Sequence, residues 1–129
     1  MFSTTPIYAI AISVIYLILW VRVASRRASE GISIGSGTDL ELLLRIRQHG
    51  NCAEWSCFVL ILMLVAEGMG VAGLYLDISG SLLVLGRIAH PFGLKVENAA
   101  HGLRYVGNGT NILATLTLLF CCIVNLLGL

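Results

Sequence analysis

Leu43-Leu44-Arg45-Ile46-Arg47-Gln48-His49-Gly50-Asn51-Cys52-Ala53-Glu54-Trp55 runs without a break into the apolar segment Ser56 to Ala66. No proline interrupts it, and it reads as one helix. On a helix, Arg47, Asn51 and Glu54 stand at i, i+4 and i+7 and share a face. Glu54 lies two turns, or ~10 Å, further along the axis than Arg47. A carboxylate carried into an apolar span is costly unless it has a partner or faces water. Inside a membrane such a group is a functional-site hypothesis by default.

The surrounding chain supplies that membrane context. It has 129 residues, the length of a single domain, of which 57% are hydrophobic and 12% charged. Soluble domains carry about 25% charged residues, so the class is integral membrane. A net charge of +1 gives no electrostatic basis for a nucleic-acid or polyanion partner. Cys52, Cys57, Cys121 and Cys122 form no C-x-x-C and lie in apolar or helical stretches, as small buried hydrophobes do. His49, His90 and His101 have no metal-ligand spacing.

Upstream of the quoted stretch, Met1 to Val21 carries no charge. Its apolar run is long enough to cross ~30 Å of hydrocarbon. It has no basic start and no small-x-small site before Arg22, and its apolar core is too long for a cleaved signal. A first helix over about 6–24 is expected. Glu30 to Gly37 is rich in glycine and serine but lacks the Gly-Lys-Ser/Thr ending of a phosphate loop, so it reads as a flexible connection. Thr38-Asp39-Leu40-Glu41 fits a capping box, with Thr38 as N-cap and Glu41 as its reciprocal partner. Helix 2 then covers 39–68, or ~45 Å. It outreaches the hydrocarbon, and the Arg47–Glu54 stripe falls where the helix enters the membrane.

Downstream, Glu67 to Gly73 contains three glycines and breaks the helix. Helix 3 is expected over 74–92, with Arg87 and His90 at i, i+3 on one face. Lys95 to Gly102 is a short polar connection. Helix 4 is expected over 104–127. Its Gly107, Asn108 and Gly109 offer little bulk and permit close approach of a helix or ligand. The fold class is therefore an all-α bundle of four transmembrane helices. All eight basic residues lie between helices 1 and 2 or helices 3 and 4, or at those helices' ends. The excess of positive charge predicts that side to be cytosolic, with both termini outside.

On that side Arg47, Asn51 and Glu54 meet Arg87, His90 and Arg104. Arginines stay charged and fork onto carboxylates, while Glu54 and Asn51 suit an ammonium or an amide. A small peptide with both acid and amine fits this set, and the apolar helices would receive a hydrophobic co-substrate from the lipid. No Ser-His-Asp arrangement is visible. The bland alternative is structural: an Arg47–Glu54 ion pair that only orients helix 2, and an Arg87 that snorkels.

Arg47 to Trp55, with its Arg-x-x-x-Asn-x-x-Glu pattern, resembles the helix 2 signature of the MAPEG family, membrane-associated proteins in eicosanoid and glutathione metabolism. Gly86-Arg87-Ile88-Ala89-His90 resembles the end of that family's third helix, and Arg104 its further arginine. The likeness covers nearly the whole chain and is greatest to the short bacterial branch. It implies a homotrimer in a bacterial inner membrane, binding glutathione between subunits near the cytosolic face. It implies that Arg47, Asn51 and Glu54 hold the peptide, with Trp55, Arg87, His90 and Tyr105 beside it. Arg104 would be the catalytic residue, stabilising the thiolate that attacks a lipophilic electrophile or a lipid hydroperoxide. Family members often carry tyrosine after the helix 2 glutamate and near the end of helix 3; here these places hold Trp55 and Phe92. Two other functions fit the pattern: a non-catalytic scaffold that binds lipid or glutathione, and a small four-span transporter.

Overall fold

The computed structural model describes residues 2–96 and 101–128. Part of the connection between helices 3 and 4, residues 97–100, lies outside the described residues. Four helices make up the fold: α1 (Thr5–Glu30), α2 (Leu40–Gly68), α3 (Gly73–Gly93) and α4 (Gly102–Leu127). α1, α2 and α4 are long and apolar enough to cross a membrane. α3, with 21 residues, also reaches ~32 Å, but it carries Asp77, Arg87 and His90 and turns the last two inward.

The bundle's outer surface is apolar. Ile7, Ile10 and Leu17 of α1, Ile61 of α2 and Phe120 of α4 are all exposed. A helix that is apolar on its inner and outer faces alike belongs in lipid. The core draws on all four helices: Ile12 of α1, Val59, Met63 and Ala66 of α2, Leu76 and Leu83 of α3, and Ala114 and Leu118 of α4 form one cluster.

α1 runs six residues beyond the sequence expectation. Arg26 and Arg27 lie on the helix instead of after it, because arginine is a good helix former. The helix stops at Gly31, in the left-handed region at φ 65°, whose N–H bonds the Arg27 carbonyl. The Arg27 guanidinium then donates to the carbonyls of Ile32, Ser33 and Gly35 at 3.3, 3.2 and 2.9 Å. The glycine-rich connection is thereby wrapped around one side chain. The start of α2 also departs from expectation. Asp39, not Thr38, is the N-cap and accepts from the N–H groups of Glu41 and Leu42. Glu41 pairs with Arg45 and leaves the capping box unformed. Carboxylate wins this position because it also binds Arg26 at 2.8 Å.

Two contacts set the vertical registration of the helices. Glu67, in the last turn of α2, accepts from the N–H groups of Ser3 at 2.6 Å, and of Thr4 and Thr5 at 2.8 Å. It satisfies the free donors at the start of α1, where Thr4 makes no side-chain cap. The Tyr8 hydroxyl donates to Asp77 of α3, 3.0 Å from its carboxylate, and the Tyr8 ring fills the space over Gly80.

Candidate functional site

Helices α2, α3 and α4 converge on one small cavity of about 140 Å³, lined by Arg47, Asn51, His90, Leu94, Arg104 and Asn108. Arg47 and Asn51 come from successive turns of α2, Arg104 and Asn108 from successive turns of α4, and His90 from the last turn of α3. Two glycines permit the convergence. A Cβ on Gly107 would sit 2.7 Å from the His90 Cβ and 2.9 Å from its Cα. A Cβ on Gly93 would overlap the backbone of Leu103 and Arg104. The start of α4 therefore lies directly on the end of α3, and this brings Arg104 to His90.

Arg87 holds the wall of the cavity from behind. It is only 1% exposed. Its Nη1 donates to the Asn51 Oδ1 and, at 3.2 Å, to the Asn51 carbonyl. Its Nη2 donates to the Gly107 carbonyl at 2.9 Å. One guanidinium thus ties α3 to both α2 and α4, and fixes the Asn51 side chain. This is a correction to the snorkelling alternative: a fork with three acceptors in reach is better satisfied inside than at the surface. Buried Gln48 adds a second tie, its Nε2 donating to the Pro91 carbonyl at 2.7 Å.

The remaining sequence candidates lie elsewhere. Glu54 and Trp55 line a separate, open cleft with Phe58, of about 270 Å³. Among the described residues no ion pair joins Glu54 to Arg47. Periodicity placed Glu54 on the right face, but two further turns carry it ~10 Å past Arg47 and out of the same hollow. Tyr105 is 63% exposed and does not line the cavity; it is rotated ~100° about α4 from Arg104. Phe92 is exposed on the outer face of α3.

Two lining residues escaped the sequence reading. Asn108 stands at i+4 from Arg104, the same spacing that joins Arg47 to Asn51. Leu94 and the tie at Gln48 carry no comparable signal. Chemically, the described residues of the lining present two guanidiniums, an imidazole and two amides. This set suits an anion with hydrogen-bonding capacity.

A bundle of membrane-length helices around an apolar core, with a polar cavity where α2, α3 and α4 converge, defines a small multispan membrane protein. Residues 5–124 match the MAPEG family, and the chain belongs to that family. It is similar to the inner membrane protein YecN of Escherichia coli strain K12, with 30% identity over 89 residues, 69% of this chain and 68% of that one. The inner membrane protein YecN of Escherichia coli O6:H1 strain CFT073 shows the same identity and coverage. No solved structure matches the chain.

Proposed function

We propose that the protein is a glutathione-dependent transferase or peroxidase of a bacterial inner membrane, acting on lipophilic electrophiles or lipid hydroperoxides. The observation that carries this reading is the meeting of Arg47, Asn51, His90 and Arg104 in one polar cavity. The donor set fits a peptide acid: guanidiniums for carboxylate, amides for the peptide groups. The volume fits only part of one, since sites for drug-sized ligands measure ~300–1,000 Å³. Glutathione therefore spans from this cavity to groups outside it. In a homotrimer those include exposed Glu54 and half-buried Trp55, which line their own cleft, meeting a ligand held by the adjacent copy. The excess of positive charge on this side of the bundle supports a cytosolic site with both termini outside.

The chemistry rests on Arg104. A free thiol of pKa ~8.5 is a few per cent thiolate at neutral pH. A cation that lowers the value by ~2 units makes thiolate the majority, a differential interaction of ~2.7 kcal/mol. The sulfur then forms a bond to an electrophilic carbon as its leaving group departs. With a hydroperoxide it instead takes the terminal oxygen, releases the alcohol, and is reduced by a second glutathione to the disulfide and water.

One observation favours a second reading, a binding protein without turnover: among the described residues that line the cavity, none bears a hydroxyl to donate an O–H to the sulfur. The experiment that separates the two is glutathione calorimetry alongside turnover for Arg104→Ala. We expect turnover to be lost and affinity largely kept. Full turnover in that variant removes Arg104 from its role, and no binding by the folded wild type removes glutathione altogether.

A further inference from the structure

A second cavity of about 180 Å³ lies between α1 and α3, on the other side of Arg87 from the polar site. Ile15, Ile18 and Leu19 of α1 and Ile88 and Phe92 of α3 form its apolar walls. Arg22 and Arg87 are its charged members. Ile18, Ile88 and Phe92 are 57%, 49% and 67% exposed, so the groove opens onto the lipid-facing surface. What fills it arrives sideways from the bilayer.

Its polar groups are spaced along its length. The Tyr8 ring lies over Gly80 and sets these two residues of α1 and α3 at a common level. Both helices then rise in parallel, since the groove draws on later residues of each. Seven residues on from Tyr8, Ile15 stands about level with Arg87, and Arg22 stands a further two turns, ~10 Å, along. Arg22 ends the uncharged run of α1 beside exposed Trp20, and tryptophan marks the headgroup level of a bilayer. Among the described residues Arg22 has no acidic partner. At the deeper end, buried Arg87 has both Nη atoms engaged but its Nε–H unpaired. An unpaired charged donor inside a protein is costly and calls for an acceptor.

We propose that this groove is a specific site for an anionic diacyl phospholipid. The phosphate forks onto Arg22, one acyl chain lies against Ile15, Ile18, Leu19 and Phe92, and an ester carbonyl accepts from the Arg87 Nε–H. Two acceptors at different depths distinguish this occupant. A phospholipid carries an anion with ester carbonyls beneath it, whereas a free fatty acid carries its only polar group at one end. Basic pockets between transmembrane helices are known sites for anionic headgroups. Because Arg87 also grips Asn51, lipid in the groove steadies one wall of the polar cavity.

The test is native mass spectrometry of the full chain released from detergent, without glutathione, so that its outcome is independent of the thiol chemistry. Phosphatidylglycerol, phosphatidylcholine and palmitate are offered in turn. We expect a retained phosphatidylglycerol adduct that phosphatidylcholine and palmitate do not displace. Arg22→Gln should weaken it about tenfold, the scale of one charge-assisted hydrogen bond. Ile18→Trp, which fills the groove and leaves both arginines, should abolish it. Thermal melting checks that both variants fold. Equal retention of phosphatidylcholine, displacement by palmitate, or an adduct untouched by Ile18→Trp overturns the proposal.

Discussion

Replacing Gly107 by alanine tests how the site is assembled, because two opposing effects act on α4 and Gly109 isolates one of them. Both glycines are inside α4, where alanine favours the helix by ~1 kcal/mol. At Gly109 nothing lies within 4 Å of an added Cβ, so that gain stands alone. At Gly107 the new methyl meets His90 Cβ at 2.7 Å, His90 Cα at 2.9 Å and the Gly86 carbonyl oxygen at 3.0 Å. Two of these three atoms are backbone and cannot swing away, so overpacking falls at the upper end of its usual ~1–3 kcal/mol. The net loss at Gly107 is about 2 kcal/mol and the gain at Gly109 up to ~1 kcal/mol. Two residues apart on one helix, the variants should differ by on the order of 100-fold in unfolding equilibrium. Circular dichroism during titration of detergent micelles with sodium dodecyl sulfate would measure both. If Gly107→Ala is as stable as Gly109→Ala, α3 and α4 do not approach as described, and the account of how His90 meets Arg104 fails with it.

Other perturbations address separate joints. Arg87→Lys keeps the charge but loses the fork to Asn51 and Gly107; we expect ~1.5–3 kcal/mol of destabilisation in the same titration, and an unchanged midpoint would refute the three-helix tie. Glu67→Ala frees the first N–H groups of α1 and should cost ~1–2 kcal/mol, the value of a lost cap. Amide exchange at Thr5 to Tyr8 should accelerate, and unaltered protection would contradict the contact. The Arg26 hydrogen bond, then the Leu42 and Glu41 N–H groups, hold the Asp39 carboxyl below its ordinary range. Its stabilisation is complete above the unfolded value near ~4 and fades as pH falls through the lower folded value. Asp39→Asn should flatten the acid limb of a stability profile, and an identical limb would show that this group contributes nothing to it.

Much of the architecture was written in the pattern of apolar runs, because lipid allows few alternatives to a closed helix. Helix ends were harder. Arginine at the end of α1 is equally a topology signal and a good helix residue, and only Gly31 in its left-handed conformation shows where the chain turns. At α2, Thr38 and Asp39 are both good caps, and the choice was made by Arg26, thirteen residues away. In the site, helical spacing brought out Arg47 with Asn51 and Arg87 with His90, since each pair is local. It could not show that Asn51 is gripped by Arg87 or that Glu54 sits in another cleft, for those depend on how far one helix slides past the next. The glycines at 93 and 107 set that slide, and a glycine in a sequence does not announce which partner it admits.

The contact between Glu67 and Ser3 to Thr5 also bears on biogenesis. The groups it joins are 62 to 64 residues apart. A chain leaving the ribosome presents α1 to the membrane long before residue 67 exists. The opening turn of α1 must therefore wait, frayed or hydrated, until all of α2 has been made and has returned across the bilayer. The first helix to be synthesised is completed by the last turn of the second. The amide groups of residues 3–5 therefore gain their acceptor only after α2 is in place.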